Sequence, residues 1–230
     1  LGVIKTNILL CAGGTWSSLF CARHKIPLPQ LKVRSSVLRT SPVPEISEHS
    51  IWCRDVALRR RQDGGYTIAH GSATEVPIVP DTLRWGVKYL ESYRKEKSRL
   101  RIKVNERFYK ELMTPRRWNI NGPSPFELER IYNVSPNKKI LDEAFGNLRR
   151  LFPQLMNAKI IESWGGLIDV TPDAVPVISP VEKNPGFYLA TGFSGHGFGI
   201  GPGAGELAAK MISGKASKQE LSNFDYNRFF

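Results

Sequence analysis

The sequence predicts an α+β (α/β-like) fold built on a mixed, mainly antiparallel sheet. Three observations carry this. An apolar run over residues 3–11 ends in Gly13-Gly14. Strand-like segments between Leu31 and Gly71 fold about Asp63-Gly64-Gly65. Helix-period apolar faces recur near residues 81–93, 140–151 and 204–212.

Residues 3–11 read as a nearly buried strand, interrupted only by Lys5, Thr6 and Asn7. A strand ending in glycines resembles the carboxyl edge of an α/β sheet, where ligands bind. A short helix over Trp16–Ala22 follows. The alternation from Leu31, the strand-like stretches 51–56 and 58–61, and the return at Tyr66–Ala69 predict an antiparallel region with a hairpin at Asp63 and Gly64. Asp81 is the expected cap of a helix whose Leu83, Val87, Leu90 and Tyr93 share one face. Residues 114–135, with Pro115, Pro123 and Pro125, read as an ordered excursion that could lie over a site. A second helix buries Ile140, Leu141, Ala144, Phe145, Leu148 and Leu151, with Pro136 before it and Pro153 ending it. A strand over 159–163 is expected to break or bulge at Trp164-Gly165-Gly166. Further strands are expected at 175–178 and 187–190, with a turn at Pro172-Asp173-Ala174. A last helix is expected from near Pro202, burying Ala204, Leu207, Ala208, Met211 and Ile212, with Gly214 as C-cap.

Composition narrows the class. With 41% hydrophobic residues, Gly 20 and Pro 16, the chain is globular rather than disordered or collagen-like. No run of eighteen apolar residues occurs, so no membrane span is expected. The net charge of +12 could serve a phosphate backbone, but no nucleic-acid motif accompanies it, and a solvated basic face is the plainer reading. Cys11, Cys21 and Cys53 lack paired spacing and read as reduced cysteines of a cytoplasmic protein. The four histidines show no metal-ligand spacing, so no metal is expected.

Seven glycines fall between Gly192 and Gly205. Gly199-Ile200-Gly201-Pro202-Gly203-Ala204 fits G-x-G-x-x-A, but only a short tail follows it, so no βαβ unit can close. Pro202 also lacks the N–H that such a turn aims at pyrophosphate. Two readings stay open: a tight strand-to-helix connection, or bare backbone and a positive helix end facing a planar or anionic ligand.

Four ordered blocks then resemble the D-amino acid oxidase and sarcosine oxidase family of FAD-dependent oxidoreductases. They are Leu10-Cys11-Ala12-Gly13-Gly14-Thr15-Trp16-Ser17, Asp63-Gly64-Gly65-Tyr66, the stretch Trp164 to Ile178, and Ala190 to Leu207. The resemblance implies a mixed antiparallel sheet substrate domain plus the C-terminal portion of an FAD-binding domain. It divides the chain into FAD-domain segments at 1–30 and 164–230 around a substrate-binding domain at 31–163. It implies oxidation of a C–N bond of an amine or amino acid of the glycine, sarcosine or D-amino acid type, by hydride transfer to FAD. It places the backbone of Gly195, His196, Gly197 and Phe198 at the flavin's pyrimidine end and Gly13 and Gly14 near its ribityl or pyrophosphate part, with Gly199, Ile200 and Trp16 as further cofactor-binding candidates.

Two departures from the family pattern matter. The family's N-terminal Rossmann unit is missing ahead of the first block, which implies a fragment, one half of a split enzyme or a truncated product, completed by the missing N-terminal FAD-domain segment or a partner chain. The alternative is a non-catalytic remnant of the same fold. Amino-acid oxidases also often carry a carboxylate-clamping arginine where this chain has Ile168, followed by Asp169. His196 and Tyr66 are the candidate catalytic residues; Arg61 reads as a strand edge, Trp164 as core, and Asp169 with Asp173 as a candidate carboxylate pair.

Overall fold

The computed structural model describes residues 4–119 and 121–230. Two sheets are present. The smaller contains β1 (Leu9–Cys11), β9 (Val177–Pro180) and β10 (Phe187–Thr191), with β10 in the centre, parallel to β1 and antiparallel to β9. The larger, seven-stranded sheet is organised around β2 (Leu31–Thr40). Along one edge β2 pairs antiparallel with β8 (Ile160–Val170) over its whole length. Along the other it pairs with β5 (Tyr66–Ala69) near Thr40 and with β6 (Thr74–Pro77) at Arg34. β4 (Ala57–Arg60) and β3 (Ile51–Trp52) extend the sheet beyond β5, and β7 (Leu100–Lys103) runs parallel to β6.

The helices are α1 (Ser17–Arg23), α2 (Pro80–Trp85), α3 (Leu90–Glu96), α4 (Arg107–Met113), α5 (Pro125–Leu128), α6 (Lys138–Leu151), α7 (Gly197–Ile212) and α8 (Lys218–Ser222). α6 forms as its periodicity predicts. Asn137 caps it by accepting the Ile140 N–H, and Ile140, Leu141, Ala144, Phe145 and Leu148 are buried. Leu141, Ala144, Phe145 and Leu148 meet Leu38, Leu58, Tyr66 and Ile68 in the main core, while Leu151 is exposed at the helix end. The hairpin also forms as expected: Gly64 takes φ 82°, and the Asp63 carboxylate accepts the Gly65 N–H. Arg61 is held by Asp63 beside this turn.

Several expectations are corrected. The 81–93 stretch is two short helices joined by a 3₁₀ turn over Gly86–Tyr89. Gly86 is a poor helix former, and the tighter 3₁₀ turn breaks the 3.6-residue phase. Leu83 and Val87 are therefore 72% and 81% exposed instead of buried. The N-cap position is Val79; Asp81 lies in the first turn, paired with Arg84 and Arg116.

β8 does not break at Trp164-Gly165-Gly166; it runs straight through, and the register shift lies between Arg39 and Thr40. Gly165 serves close approach instead, since a Cβ there would come within 2.5 Å of the Val134 carbonyl oxygen. The proposed domain boundary between 163 and 164 falls inside this continuous strand. α7 starts at Gly197, leaving Pro202 in its second turn. Of the expected 3–11 strand only Leu9–Cys11 is extended and paired, and only Cys11 of these is buried; Val3 lies outside the described residues.

Candidate functional site

Three connections converge at one end of the two sheets: the turn after β1, the last residues of β8, and the turn from β10 into α7. Sequence explains each. After Cys11 the chain turns through Gly13 and Gly14 (φ 53°) into a 3₁₀ turn, Gly14–Trp16, and then α1. Between β10 and α7, Gly192, Ser194 and Gly195 have φ of 76°, 52° and 88°. Left-handed backbone at this density is costly for side-chain-bearing residues, which accounts for the glycines. Space also demands one of them: a Cβ on Gly192 would lie 2.4 Å from Thr171 Cγ2.

A buried polar lock fixes the three pieces. Asp169 Oδ2 accepts the Gly192 N–H at 2.7 Å and Gln30 Nε2 at 3.0 Å. Gln30 Oε1 accepts the Ser18 N–H at 3.0 Å, joining the start of α1 to β8. Gln30 Nε2 also reaches Thr191 Oγ1 at 3.1 Å, and that hydroxyl meets Ser17 Oγ at 2.9 Å. The Asp169 carbonyl in turn accepts the Ser194 N–H at 3.0 Å. Networks of this kind, fully partnered, specify one local geometry.

The turn so held presents a bare face. The His196 ring is exposed and caps nothing, although His196 occupies the N-cap position of α7. Phe198 is 98% exposed. Nothing stands within 4 Å of the Cβ positions of Gly199, Gly201 and Gly203. Among the described residues, the Gly197 and Phe198 N–H groups have no backbone acceptor. A 16-residue helix therefore has a partly unsatisfied positive end, beside glycines with open space at their Cβ positions and between the exposed His196 and Phe198 side chains. Gly195 lies on the Ile168 side chain, its Cβ position 3.7 Å from Ile168 Cδ1. Ile168 pairs with Val33, and Gly166 with Ser35, so these residues form the sheet face next to the turn.

Trp16 packs on the other side. Its ring stacks on Tyr132 at 3.9 Å and meets the edge of Phe126 at 5.4 Å. The excursion over 114–135 thus covers Trp16; Ile120 lies outside the described residues. Below the stack, Lys32 Nζ lies 3.4 Å from the Tyr132 hydroxyl and 3.7 Å from Glu111. Burial pushes the Lys32 ammonium down, with Glu111 opposing, and pushes the Tyr132 phenol up. Cys11 is held down, at about 6, chiefly by a hydrogen bond from Cys21, with burial opposing and with Ser17 and the Gly13 N–H adding.

The structure brings together Gly195 to Ile200 and sets Gly13, Gly14 and Trp16 on the neighbouring connection. It does not bring Tyr66 there. Tyr66 is fully buried in the main core, and its hydroxyl accepts the Ile46 N–H. Its own N–H bonds Thr40, seven residues along β2 from Val33, roughly 23 Å at strand spacing. Trp164 is 39% exposed rather than core. Asp169 and Asp173 are not a pair: Asp169 belongs to the lock, while Asp173 takes two bonds from Arg228. Gln30 and Thr191 escaped the reading of the sequence. The one signal for Gln30 was an amide inside the apolar stretch Ile26–Leu31.

The family model described as DAO, FAD dependent oxidoreductase, matches residues 2–211. Among curated proteins, D-amino acid dehydrogenase of Paramagnetospirillum magneticum is 34% identical over 44% of this chain and 23% of its own length. Sarcosine oxidase subunit beta of Arthrobacter is 32% identical over 39% of this chain and 22% of its own length. Among solved structures, L-amino acid deaminase from Proteus vulgaris superposes with a TM-score of 0.90 at 28% identity, covering 97% of this chain and 52% of that one. The chain thus spans under a quarter of those curated relatives' lengths and about half of the deaminase. With the family model matched over nearly all of its residues, the chain belongs to the DAO family of FAD dependent oxidoreductases.

Proposed function

We propose that this chain forms the flavin-ring and substrate side of an enzyme that oxidises a C–N bond of an amino acid or amine, completed by a further FAD-domain segment or partner chain. The observation that carries the reading is the glycine-alternating turn and helix start at Gly195–Ile200, with open N–H groups at Gly197 and Phe198, tied to the end of β8 by Asp169. The residues fit FAD: the bare glycine surface admits a planar ring, and the open N–H groups of α7 suit negative charge at its pyrimidine end. Gly13, Gly14 and Trp16 would serve the ribityl or pyrophosphate part. Bound FAD would supply the hydride acceptor; the protein supplies binding, orientation and electrostatics.

In this reading His196 is the exposed group able to hydrogen-bond the ring or hold a proton beside it. Ile168, Gly166 and Val33 would line the substrate side, offering apolar contact where a carboxylate-clamping arginine is often found. Residues 1–30 and 164–230 would serve the cofactor and 31–163 the substrate. No helix among the described residues is long and apolar enough to cross a membrane, and the three cysteines are free, which fits a cytoplasmic enzyme. The deaminase likeness adds L-amino acids to the glycine, sarcosine and D-amino acid classes worth testing.

The test is anaerobic mixing of the flavin-loaded, completed protein with a panel of L- and D-amino acids, glycine and sarcosine. Bleaching of the flavin band by one class supports the reading and names the substrate. A flavin band that no member bleaches would leave the non-catalytic remnant of the same fold as the better account.

A further inference from the structure

Two buried cysteines meet beneath the Gly13–Gly14 turn, inside this chain's own core. α1 lies on one face of the smaller sheet: Phe20 stacks on Phe187 at 6.1 Å, and the Ser17 and Thr191 hydroxyls touch at 2.9 Å. Cys11 pairs in register with Leu189, which shares the face of Thr191 two residues on. Leu189 to Thr191 is about 7 Å along β10. Ser17 to Cys21 is one helical turn, about 6 Å along α1. The contact of Ser17 with Thr191 is therefore repeated one step down as a contact of Cys21 with Cys11. Both belong to one core cluster, Cys11 7% and Cys21 0% exposed. Serine and threonine are short, so hydroxyls that touch set α1 close to the sheet, as two bonded cysteines require.

The two sulfurs have different surroundings. Cys11 accepts the Cys21 S–H, which holds its thiol down against burial, and Ser17 and the Gly13 N–H add to this. Thiolate is the form that peroxides oxidise. The same bond to Cys11 pushes the Cys21 thiol up, with burial adding and the charge on Cys11 last. Consuming the Cys11 anion removes two of those three restraints on the Cys21 proton. Cys53 is the internal comparison: it packs against the other core, and its Sγ donates to the Val56 carbonyl.

We propose that Cys11 and Cys21 form a redox site, in which hydrogen peroxide oxidises Cys11 and Cys21 then closes a disulfide tying β1 to α1. In the first step the Cys11 sulfur bonds one peroxide oxygen and the O–O bond breaks, giving a sulfenic acid and, with one proton, water. In the second the Cys21 sulfur attacks the Cys11 sulfur, the S–O bond breaks, and the hydroxide leaves as water with the Cys21 proton. Two thiols are oxidised by two electrons in all, and one peroxide is reduced to two waters. The disulfide removes the anion to which Ser17 and the Gly13 N–H donate, so the pair's redox state acts on the turn itself. The assignment stands on the cysteines alone and does not depend on the flavin reading.

The test treats the folded chain with hydrogen peroxide, quenches with catalase, and alkylates in denaturant before tryptic mass spectrometry. Circular dichroism before and after shows that the chain stays folded. Both cysteines lie in one tryptic peptide, Thr6–Arg23. The expected result is that peptide unalkylated and lighter by two hydrogens, restored by a phosphine reductant, with Cys53 still alkylated. Amide exchange at Gly13 should quicken in the oxidised chain. Cys21→Ser should stop at a Cys11 sulfenic acid that dimedone traps. In Cys11→Ser, Cys21 should be lost to peroxide about ten-fold more slowly than Cys11 is in the parent. Cys53→Ser should form the bond as the parent does, and it decides the matter if either buried variant fails to fold. The proposal is overturned if Cys11 and Cys21 both stay alkylatable, if they oxidise singly to sulfinic acids, or if the bond formed runs to Cys53.

Discussion

The Asp169 carboxylate accepts the Gly192 N–H at 2.7 Å, tying the end of β8 to the turn that launches α7. The same oxygen receives Gln30 and Thr191, so removing it leaves several buried donors unanswered. Asp169→Ala should therefore cost about 1–3 kcal/mol, read as a lower urea midpoint. Amide exchange at Gly192 and Ser194 should quicken more than at Leu189. Uniform quickening along β10 would mean that Asp169 supports the whole sheet and not the turn.

Two adjacent glycines in β8 should behave oppositely. A Cβ on Gly165 would meet the Val134 carbonyl oxygen at 2.5 Å, so Gly165→Ala should cost about 1–3 kcal/mol by overpacking. Nothing lies within 4 Å of the Cβ position of Gly166. Gly166→Ala should be neutral or gain about 0.5–1 kcal/mol, because alanine has less chain entropy to lose. Thermal melts of the two variants decide it; equal losses would contradict the assigned geometry.

Trp16 holds the excursion over residues 114–135 through its stack on Tyr132. Tyr132→Ala should lose about 0.5–1.5 kcal/mol of aromatic contact and speed tryptic cleavage after Arg130. Tyr132→Phe keeps the ring and should cleave at the parent rate. Unchanged cleavage in Tyr132→Ala would show that the prolines alone order this segment.

Asp173 gives a pH signature. Burial pushes its carboxyl up, but hydrogen bonds from Arg228 and the Val175 N–H outweigh this and hold it below its ordinary value. A depressed folded pKa contributes stability that is present above the unfolded value and lost as pH falls through the folded one. Asp173→Asn should thus cost about 0.5–1 kcal/mol at neutral pH, the pair being partly exposed. The gap should close at strongly acid pH, below the depressed folded value, where the parent carboxyl is itself protonated. Urea midpoints at both pH values test this; a gap of equal size at both would exclude the ion pair as its source.

Local chemistry was legible in the sequence wherever a few neighbouring residues decide the outcome. Asp63-Gly64 fixes its turn through φ and a side-chain bond, and α6 follows from its cap and apolar spacing. Gly86 defeated the same spacing argument in α2 and α3 by letting the chain tighten into a 3₁₀ turn. Pro202, a common first-turn residue, concealed that α7 begins at Gly197. The glycine-rich turn stood out by composition. Its lock did not, because Gln30, Asp169 and Thr191 are far apart in sequence and meet only when both sheets are in place. Tyr66 was misplaced because closeness to a hairpin says nothing about which end of β2 that hairpin occupies.

The most direct measurement is the visible absorbance spectrum of the chain, incubated with FAD alone and with its complementary half, after gel filtration. A flavin band that co-elutes with the protein, and that weakens when Asp169→Ala loosens the Gly192 turn, is the expected result. A completed complex that stays colourless would contradict the assignment of Gly195–Ile200 and the start of α7 as a flavin site.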